Sequence, residues 1–435
     1  MKMNLPALKV GENSRFLVNQ NGEPFFWLGD TAWELIHKLS LAETQLYFQN
    51  RIEKGFTIIQ TVILAELDGL TVPNANGDLP LKDLDPSQPN EAYFSHVDKI
   101  IELANEMGLY LALLPTWGDK FNKKWGTGPE VFTPENARAF GASLAKRYAK
   151  HQHIVWVLGG DRVPQDKEDE AIIEQMAMGI REFDKDSLIT YHPNGGVIAS
   201  DIFGKSTWLQ VDMFQSKHQK NFREYTFVNK ARNRQPVRPV INGEPGYENI
   251  PNLLNKWNFQ RLDAADVRLS AYWSMLSGAA GYTYGCNEVW QMNTAESTPL
   301  FGAHLSWQEA LDLPGARQMG ILRSIFESLP WQQMHATRQI FAGINWPFSL
   351  PKLALSTSDQ SCLLIYQSTG SKIKLKIKKG ILNNSAVYWI NPQNGRVTPT
   401  KAKGSNTFYT PNRLQDWLLL ILSNKQRDQW HYTSS

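Results

Sequence analysis

The sequence predicts an α/β protein: a (β/α)8 TIM barrel followed by a small antiparallel β-sandwich. Two patterns carry this prediction. From Arg15 to about Leu329, the chain of 435 residues repeats an apolar strand and a helix eight times, which fits a barrel of roughly 250 residues with insertions. After His335 the pattern changes to short strands separated by turn residues. We therefore place the barrel at residues 8–335 and the β-sandwich at residues 336–435.

Turn and capping signals define the first units of the barrel. A hairpin over residues 15–29 leads into a buried strand. Ser40 and Glu43 have the spacing of a capping box, which begins a helix that ends before Gly55. Residues 56–64 form an almost continuous apolar run, as expected of a parallel strand that is covered on both faces.

The alternation of strand and helix continues through the barrel. Further helices are predicted over residues 95–107, 133–150, 170–183, 263–276 and 316–329, and further strands over residues 109–115, 154–158, 188–192, 211–215, 239–243 and 281–285. A doubly wound open sheet is the competing fold, but it rarely needs eight units and usually carries a Gly-rich phosphate loop. No such loop begins any of these helices, so the barrel is favoured.

The C-terminal region has the pattern of a small β-domain. Strands are predicted over residues 363–366, 373–377, 386–390 and 417–422, with turns at residues 391–395 and 403–404. The alternation from Lys372 to Lys378 indicates one buried and one exposed face, and its lysines are interpreted as a solvated strand face. The linker near Trp331 is short, which predicts a fixed interface with the barrel.

Composition and charge exclude several classes of protein. A formal net charge of +3 argues against a nucleic-acid partner bound through an overall basic field. No apolar run approaches the ~20 residues of a membrane span. No signal peptide is evident, so we expect a cytoplasmic protein as it stands, or a periplasmic or secreted one if a signal was removed.

No metal or cofactor is expected. Cys286 and Cys362 are far apart in sequence and are interpreted as buried free thiols. No His, Asp or Glu spacing repeats a known chelating unit. No Gly-x-Ser-x-Gly turn follows a strand, so a Ser-His-Asp triad is unsupported.

The predicted strand ends are rich in carboxylates and tryptophan, and the whole chain contains 15 Trp. Active sites of (β/α)8 barrels lie at these ends. Two carboxyl groups beside a scissile bond, with aromatic rings against the apolar face of a sugar, are typical of glycoside hydrolysis. The sequence therefore predicts a carbohydrate site at the mouth of the barrel.

Asp161 and Glu244 are the candidate catalytic residues. Each follows an apolar strand directly and sits in a Gly-containing turn. As the ends of strands four and seven they can approach each other, and a retaining pair would have its carboxyl groups ~5–5.5 Å apart. For Asp161, a helix N-cap or an ion pair with Arg162 is an equal alternative. Glu244 lies between Gly and Pro, where a carboxylate is a poor structural choice, so function is favoured.

Other strand-end residues are candidates for substrate contact. They are Asp30, Trp33, Glu66, Trp117, His192, Gln215, His218 and Trp290. For Asp30 and Trp33, sugar contact is favoured over a structural anchor of the hairpin. For Glu66, a hydrogen bond to a sugar hydroxyl and an ion pair with a basic neighbour are equally favoured.

The remaining candidates also have structural alternatives. Trp117 and Trp290 fit core packing and sugar stacking equally well. His192 is favoured as a hydrogen-bond partner of the nucleophile or of a sugar hydroxyl because it ends a strand, although a satisfied core histidine is more common in general. Gln215 and His218 are weaker candidates of the same kind.

Three segments resemble a known family. FWLGDTAW at residues 26–33, WVLGGD at residues 156–161 and NGEP at residues 242–245 are similar to the apiosidase-like glycoside hydrolases, which are related to the clan A retaining enzymes. Many clan A members carry Asn-Glu-Pro after strand four, where this sequence has Gly-Gly-Asp-Arg, as in the apiosidase-like branch. The resemblance implies Asp161 as acid/base, covers residues 8–335, and extends to a following β-domain that carries a collagen-binding label.

These observations predict a retaining glycoside hydrolase that acts on a side chain of a plant-type polysaccharide or oligosaccharide, with apiose as one candidate sugar. The alternative is a lectin-like carbohydrate-binding protein on a non-catalytic barrel. Only the enzyme needs Asp161 and Glu244 together. A scaffold in which the β-domain binds a protein partner rests on the family label alone.

Overall fold

Eight parallel strands form the central sheet of the protein, as the sequence predicts. The computed structural model describes residues 4–255, 260–342, 350–370, 372–377, 379–404 and 406–432. A small antiparallel sheet precedes the barrel and consists of β1 (Leu8–Val10), β2 (Leu17–Asn19) and β3 (Pro24–Phe25). The barrel strands are β4 (Trp27–Thr31), β5 (Ile58–Leu64), β6 (Tyr110–Thr116), β7 (Ile154–Gly159), β8 (Ile189–His192), β9 (Asp212–Gln215), β10 (Val240–Glu244) and β11 (Gly281–Tyr284).

The sheet curves round so that its two end strands meet. Its strand order is β8-β7-β6-β5-β4-β11-β10-β9. The backbone N–H of Gln210 donates to the carbonyl of Ile189 at 3.0 Å. The Thr190 hydroxyl donates to the carbonyl of Val211 at 2.8 Å. These bonds join the β8 and β9 sides, and the parallel direction brings the carboxyl ends of all eight strands to one mouth.

Helices cover the outside of the barrel and connect its strands. They are α1 (Leu35–Lys38), α2 (Leu41–Glu53), α3 (Glu91–Met107), α4 (Pro134–Tyr148), α5 (Lys167–Phe183), α6 (Ala199–Phe203), α7 (Glu224–Arg232), α8 (Ala264–Met275), α9 (Asn287–Trp290), α10 (Trp307–Ala310) and α11 (Pro314–Glu327). The predicted helices are all present. The helices α1, α6, α7, α9 and α10 were not predicted, because so few turns give little periodicity.

The capping box predicted at α2 is confirmed. The backbone N–H of Glu43 donates to the Ser40 hydroxyl at 3.3 Å, and the backbone N–H of Ser40 donates to the Glu43 carboxylate at 2.9 Å. The helix ends at Glu53, before Gly55 with its φ of +83°. Helix α3 begins earlier than predicted, at Glu91, because the Asn90 side chain caps it.

Cys286 and Cys362 are buried and unpaired, as predicted. Within the described ranges, no helix is long and apolar enough to cross a bilayer.

The C-terminal strands form an antiparallel sheet of six strands and a second sheet of two. The elements are β12 (Met334–Ala336), β13 (Leu353–Thr357), β14 (Cys362–Gln367), β15 (Lys372–Lys374), α12 (Lys379–Asn383), β16 (Ser385–Ile390), β17 (Val397–Pro399), β18 (Thr407–Tyr409), β19 (Trp417–Ser423) and α13 (Asn424–Gln429). The large sheet has the order β12-β13-β14-β19-β16-β17, and β15 pairs with β18. The predicted alternation of exposed and buried residues is present from Lys372 to Lys376, whereas Lys378 lies outside the described residues.

The six-stranded sheet packs on both faces. Along β19, Leu418 and Leu420 belong to the hydrophobic core that is continuous with the barrel. Their neighbours Leu419 and Ile421 point the other way, into a separate core beneath the two-stranded sheet. Trp331 in the linker is buried against Phe16, with ring centroids 4.9 Å apart. The sheet therefore lies between the barrel and the small sheet.

A buried ion pair joins the barrel to this sheet. Arg268 on α8 donates from Nε and from its terminal nitrogen to the two oxygens of Asp416, each at 2.9 Å. The Tyr366 hydroxyl donates to Asp416 at 3.0 Å, and the Tyr366 ring stacks on Tyr272 with centroids 4.8 Å apart. Arg268 also donates to the Gln318 side chain at 2.6 Å. Every polar side-chain atom of the pair thus has a hydrogen-bond partner, and these partners come from both the barrel and the C-terminal sheet.

Asp416→Ala is expected to lower the free energy of unfolding by about 3–5 kcal/mol, because it leaves Arg268 as a buried charge without its partner. Denaturant unfolding of the full chain measures this loss. Asp428→Ala is the matched control, since Asp428 is 66% exposed and pairs with exposed Arg427. Such a surface pair contributes about 0–1 kcal/mol. Equal losses in the two variants would contradict a stabilising role for the buried pair.

Candidate active site

A pocket opens at the carboxyl ends of the barrel strands. Its volume is about 590 Å³, within the ~300–1,000 Å³ that small-molecule sites occupy. Most of the residues predicted for the site line it, namely Trp33, Glu66, Trp117, Asp161, Gln215, His218, Glu244 and Trp290. The lining also includes Asp119, Trp125, Arg162, Lys217, Tyr247 and Phe301, which were not among the predicted site residues. Asp30 and His192 are not part of the lining.

Three consecutive residues with left-handed backbone place Asp161. Gly159 and Gly160 have φ angles of +97° and +99°, and Asp161 itself has a φ of +55°. A Cβ atom at Gly159 would also lie 2.6 Å from the carbonyl of His192, so the turn needs glycine for space as well. The turn leaves the Asp161 side chain 23% exposed, at the pocket. A non-glycine residue in this conformation costs about 1–3 kcal/mol, and such strain is concentrated at functional sites.

A β-bulge directs Glu244 into the pocket. In the ladder with β9, Gly243 is an additional residue between Asn242 and Glu244. Without the bulge, the period of two would place the Glu244 side chain on the same face as Asn242, which donates to Ser274 on α8. A Cβ atom at Gly243 would lie 2.4 Å from the sulfur of Met213, so a larger residue there would displace the Met213 side chain.

The His192 imidazole connects the two candidate catalytic residues. Its Nδ1 accepts the backbone N–H of Asp161 at 3.1 Å, and because an amide N–H only donates, the ring proton is on Nε2. This Nε2 lies 2.9 Å from Oε2 of Glu244. The contact is close but not aligned as a hydrogen bond, and neither atom has another partner among the described residues. His192 is fully buried, so it acts on Glu244 from behind the pocket.

His218 and Tyr247 complete the surroundings of Glu244. The backbone N–H of Tyr247 donates to Nδ1 of His218 at 3.4 Å, which leaves Nε2 to face Oε1 of Glu244 at 3.3 Å. The Tyr247 hydroxyl accepts a hydrogen bond from Nε1 of Trp33 at 3.0 Å. Burial, followed by the negative charge of Glu244, raises the pKa of Tyr247, so its hydroxyl keeps the proton. Each oxygen of Glu244 thus faces a histidine N–H group.

The surroundings separate the protonation states of Asp161 and Glu244. Burial, followed by the negative charge of Glu244, raises the pKa of Asp161 to about 7. Burial also acts on Glu244, but the contacts from His192 and His218 outweigh it and hold the pKa of Glu244 well below its usual range. Below about pH 7, Asp161 is therefore the group that carries a proton while Glu244 is ionised. Two carboxyl groups with different roles in one site require this difference.

Of the two alternatives for Asp161, the ion pair with Arg162 is present only as a long contact and the helix N-cap is not formed. The nearest guanidinium nitrogen of Arg162 is 3.8 Å from the Asp161 carboxylate. The hydrogen bonds of Arg162 go instead to the carbonyls of Asn122, Asp161 and Lys123, at 2.7, 2.8 and 3.1 Å. The N-cap of the following helix α5 is Asp166. Arg162 therefore fixes the loop, and the Asp161 carboxyl group faces the pocket.

Aromatic side chains form much of the pocket wall. The rings of Trp33 and Trp117 have centroids 5.0 Å apart, and they lie 5.3 and 5.9 Å from the His192 ring. Trp290 lies 6.4 Å from Phe301. The three tryptophans are at most 5% exposed, yet all line the pocket. Trp117 and Trp290 thus pack in the core and also bound the pocket, so their predicted stacking on a sugar stays a prediction.

Asp30 lies outside the pocket, and its predicted sugar contact needs correction. Its carboxylate accepts hydrogen bonds from Arg51 at 2.6 Å and from Tyr47 at 2.5 Å. All three side chains are fully buried between the barrel and α2. The geometry supports the structural-anchor alternative, because a carboxylate committed to two buried partners cannot reach a ligand.

Glu66 and Gln215 line the pocket with unused polar atoms. No described basic residue forms an ion pair with Glu66, so the alternative of a structural pair is not supported. Burial, followed by the charge of Glu34 and of three further carboxylates, raises the pKa of Glu66 well above its usual range. A protonated carboxyl group can both donate and accept. The Gln215 amide oxygen is buried and has no partner among the described residues.

Tyr247 and Trp125 are the principal pocket residues that sequence reasoning missed. Tyr247 follows Glu244 by three residues, and this proximity was the available signal. Trp125 lies in the long loop after β6, is 62% exposed and covers the Arg162 guanidinium at 4.3 Å. No strand end marks its position.

Among the described residues, no group of three or more His, Cys, Asp or Glu side chains could hold a metal ion.

Two known families match different parts of the chain. Residues 11–333 match the family described as "Apiosidase-like, catalytic domain". Residues 351–422 match the family described as "Putative collagen-binding domain of a collagenase". Both matches confirm the resemblance found in the sequence. No match was found among curated protein sequences.

Solved structures show the same architecture over the whole chain. A protein described as "Glycoside hydrolase" is 27% identical, with 97% of each chain covered and a TM-score of 0.87. A glycoside hydrolase family 5 protein from Bacteroides vulgatus is also 27% identical, with 98% of this chain and 96% of that chain covered and a TM-score of 0.87. A family 39 glycoside hydrolase from Bacteroides cellulosilyticus, 12% identical with 93% and 84% covered and a TM-score of 0.55, shares the fold alone. The chain therefore belongs to the apiosidase-like family of catalytic domains, and its structural relatives are glycoside hydrolases.

Proposed function

We propose that the protein is a retaining glycosidase that removes a terminal sugar from the side chains of a plant-type polysaccharide or oligosaccharide. Hydrolysis of glycosidic bonds is the activity of its structural relatives. The observation that carries the proposal is that Asp161 and Glu244 line one pocket, in surroundings that raise the pKa of Asp161 and lower that of Glu244. In glycoside hydrolysis one carboxylic acid protonates the leaving oxygen while the other acts as an anion.

In the first step, an oxygen of Glu244 attacks the anomeric carbon of the sugar. The bond between that carbon and the leaving oxygen breaks, and the leaving oxygen takes the proton of Asp161. The contacts from His192 and His218 support this role of Glu244, because they keep it ionised and fix both of its oxygens. The product of this step is a covalent glycosyl ester on Glu244.

In the second step, the Asp161 carboxylate takes a proton from water. The water oxygen attacks the anomeric carbon, the ester bond to Glu244 breaks, and the sugar leaves with its original configuration. Asp161 thereby regains the proton that it gave up in the first step. A pKa near neutrality suits a group that must act first as an acid and then as a base.

The shape of the pocket supports removal of a sugar from a chain end. Loops that follow all eight barrel strands contribute to its lining, so it is walled around its circumference. The carboxyl group of Glu66 and the amide oxygen of Gln215 are available to sugar hydroxyls. The family description supports apiose as a candidate sugar.

A panel of aryl glycosides and plant glycans, assayed for released reducing sugar, tests the proposed activity. NMR of the first product formed determines whether its anomeric configuration is retained. Inversion would contradict the double displacement, although the protein would still be a glycosidase. Sugar binding without turnover of any substrate would favour the lectin-like alternative.

Glu244→Gln is expected to lower kcat on the order of 10⁴-fold or more with every substrate, because it removes the nucleophile. Sugar binding should persist in this variant. Glu182→Gln is the control, since Glu182 is an exposed residue paired with Arg138 on the barrel surface. Steady-state kinetics and binding of the product sugar provide the two readouts. Substantial residual activity in Glu244→Gln would contradict the assignment of the nucleophile.

Asp161→Ala is expected to slow substrates with poor leaving groups by about 10²–10⁴-fold and to affect dinitrophenyl glycosides much less in the first step. A good leaving group departs without protonation, so the covalent intermediate then accumulates. Azide should partly restore turnover, because it attacks the intermediate without a general base, and the glycosyl azide should retain configuration. Equal losses with all leaving groups, together with no azide rescue, would exclude Asp161 as the acid/base.

Burial and the charge of Glu244 raise the pKa of Asp161 to about 7. The rate with a poor leaving group is therefore expected to fall as the pH rises through this value. A raised pKa means that the acid is present below this pH and is lost above it. Glu244 has a lowered pKa, so it stays ionised far into the acidic range. Profiles of kcat/KM against pH measure both limbs. A rate that stays constant from about pH 5 to 8 would be incompatible with these roles.

A further inference from the structure

The net charge of +3 conceals a strong separation of charge along the chain. Residues 336–435 contain 13 Lys and Arg, against three Asp and no Glu. Residues 1–335 contain 32 Lys and Arg against 39 Asp and Glu. The barrel is therefore acidic and the C-terminal region is basic.

The three aspartates of the C-terminal region do not neutralise its lysines. Asp416 is buried with Arg268, and Asp428 pairs with Arg427. The Asp359 carboxylate accepts the backbone N–H of Ser361 in the turn between β13 and β14. Most of the positive charge of the region thus has no acidic partner within it.

Many of these lysines lie on the outer side of the two-stranded sheet. Along β15, Ile373 is buried in the small core, whereas Lys372 and Lys374 are exposed, and the alternation continues to exposed Lys376. On the other side of β18, Ala402 packs against the same core and its neighbours Lys401 and Lys403 are exposed. None of the five lysines forms an ion pair with a described residue.

An aromatic ring lies among these lysines. Tyr409 on β18 is 48% exposed and is the cross-strand partner of Lys372. The ammonium group of Lys403 is 5.6 Å from the centre of the Tyr409 ring. We call the surface formed by the five lysines and Tyr409 the basic face. It combines positive charge with an exposed aromatic ring.

We propose that the basic face binds a polysaccharide that carries anionic groups, either carboxylate or sulfate. Lysine ammonium groups are mobile point charges that pair with such groups on a flexible chain. The Tyr409 ring offers a surface for the apolar side of a sugar ring. Charge complementarity therefore selects an acidic glycan over the neutral glycans, and the carbohydrate chemistry of the attached barrel favours a glycan over other polyanions.

The proposal rests on the chain acting on carbohydrate, but not on the roles of Asp161 and Glu244. Binding would hold the barrel close to an acidic glycan whose side chains it hydrolyses. The experiment below measures binding without turnover, so failure of the catalytic assignment and failure of this proposal are distinguishable.

The test compares binding of the full chain to polygalacturonate, a sulfated glycan and a neutral glycan, by affinity electrophoresis or calorimetry. We expect binding to at least one of the two acidic glycans that weakens as salt is added, and weak or no binding to the neutral glycan. The two acidic arms show whether carboxylate or sulfate is preferred. If the protein binds the neutral glycan with the same affinity as the acidic glycans, the proposal is overturned.

A charge-reversal variant, with Lys372, Lys374 and Lys403 each changed to Glu, should weaken binding to the acidic glycan by about tenfold or more. The matched control changes Lys150, Lys185 and Lys205, which are exposed lysines of the barrel, to Glu and has the same net charge. It should bind within about threefold of the unchanged protein. Equal losses in both variants would mean that net charge alone is responsible, and would overturn the proposal.

Tyr409→Ala separates a sugar site from a general polyanion surface. We expect it to weaken binding to the acidic glycan severalfold, with little change in the dependence on salt. Duplex DNA that binds as tightly as the glycan would overturn the assignment to a polysaccharide. So would collagen that binds tightly while the acidic glycans do not. The thermal unfolding midpoint serves as a folding control and should be unchanged in all of these variants.

Discussion

The pocket depends on one imidazole. His192 accepts the backbone N–H of Asp161 at one nitrogen and places the N–H of its other nitrogen beside Glu244. The first contact fixes the tautomer, and the fixed tautomer determines which group Glu244 meets. The ring is held from the side by Trp33 and Trp117. One buried residue thus contacts both the turn that presents Asp161 and the carboxylate of Glu244, which His218 also contacts, and the charge of Glu244 in turn helps to raise the pKa of Asp161.

Two local departures from regular strand geometry create this arrangement. The Gly159–Gly160 turn ends β7 in a left-handed conformation, and the bulge at Gly243 changes the direction of Glu244 within β10. Each costs stability, because left-handed backbone at Asp161 is strained and a bulge interrupts a ladder. The surrounding barrel core offsets this cost, since strands that are buried on both faces hold the distorted segments in place.

The two faces of the six-stranded C-terminal sheet pack against different parts of the protein. One face continues the core of the barrel and includes the buried pair of Arg268 and Asp416. The other face supports the small sheet on which the lysines lie. Because the first face is fixed to the barrel, a ligand on the small sheet would be held at a constant position relative to the pocket. The separation of acidic and basic charge between the two parts follows the same division.

The sequence by itself determined the order of the barrel strands and of the longer helices, and it placed Asp161 and Glu244 at strand ends as candidates, because apolar periodicity and the residues that end a strand are local properties. It did not determine where strand-end side chains point. Asp30 and Asp161 both follow apolar segments, yet Asp30 turns towards Arg51 and Asp161 towards the pocket. That difference, like the place of Tyr247 beside Glu244, depends on bulges, left-handed residues and packing partners that are distant in sequence. Only the tertiary structure decided it, because a side chain's direction at a strand end is set by contacts across the barrel and not by its neighbours in the chain.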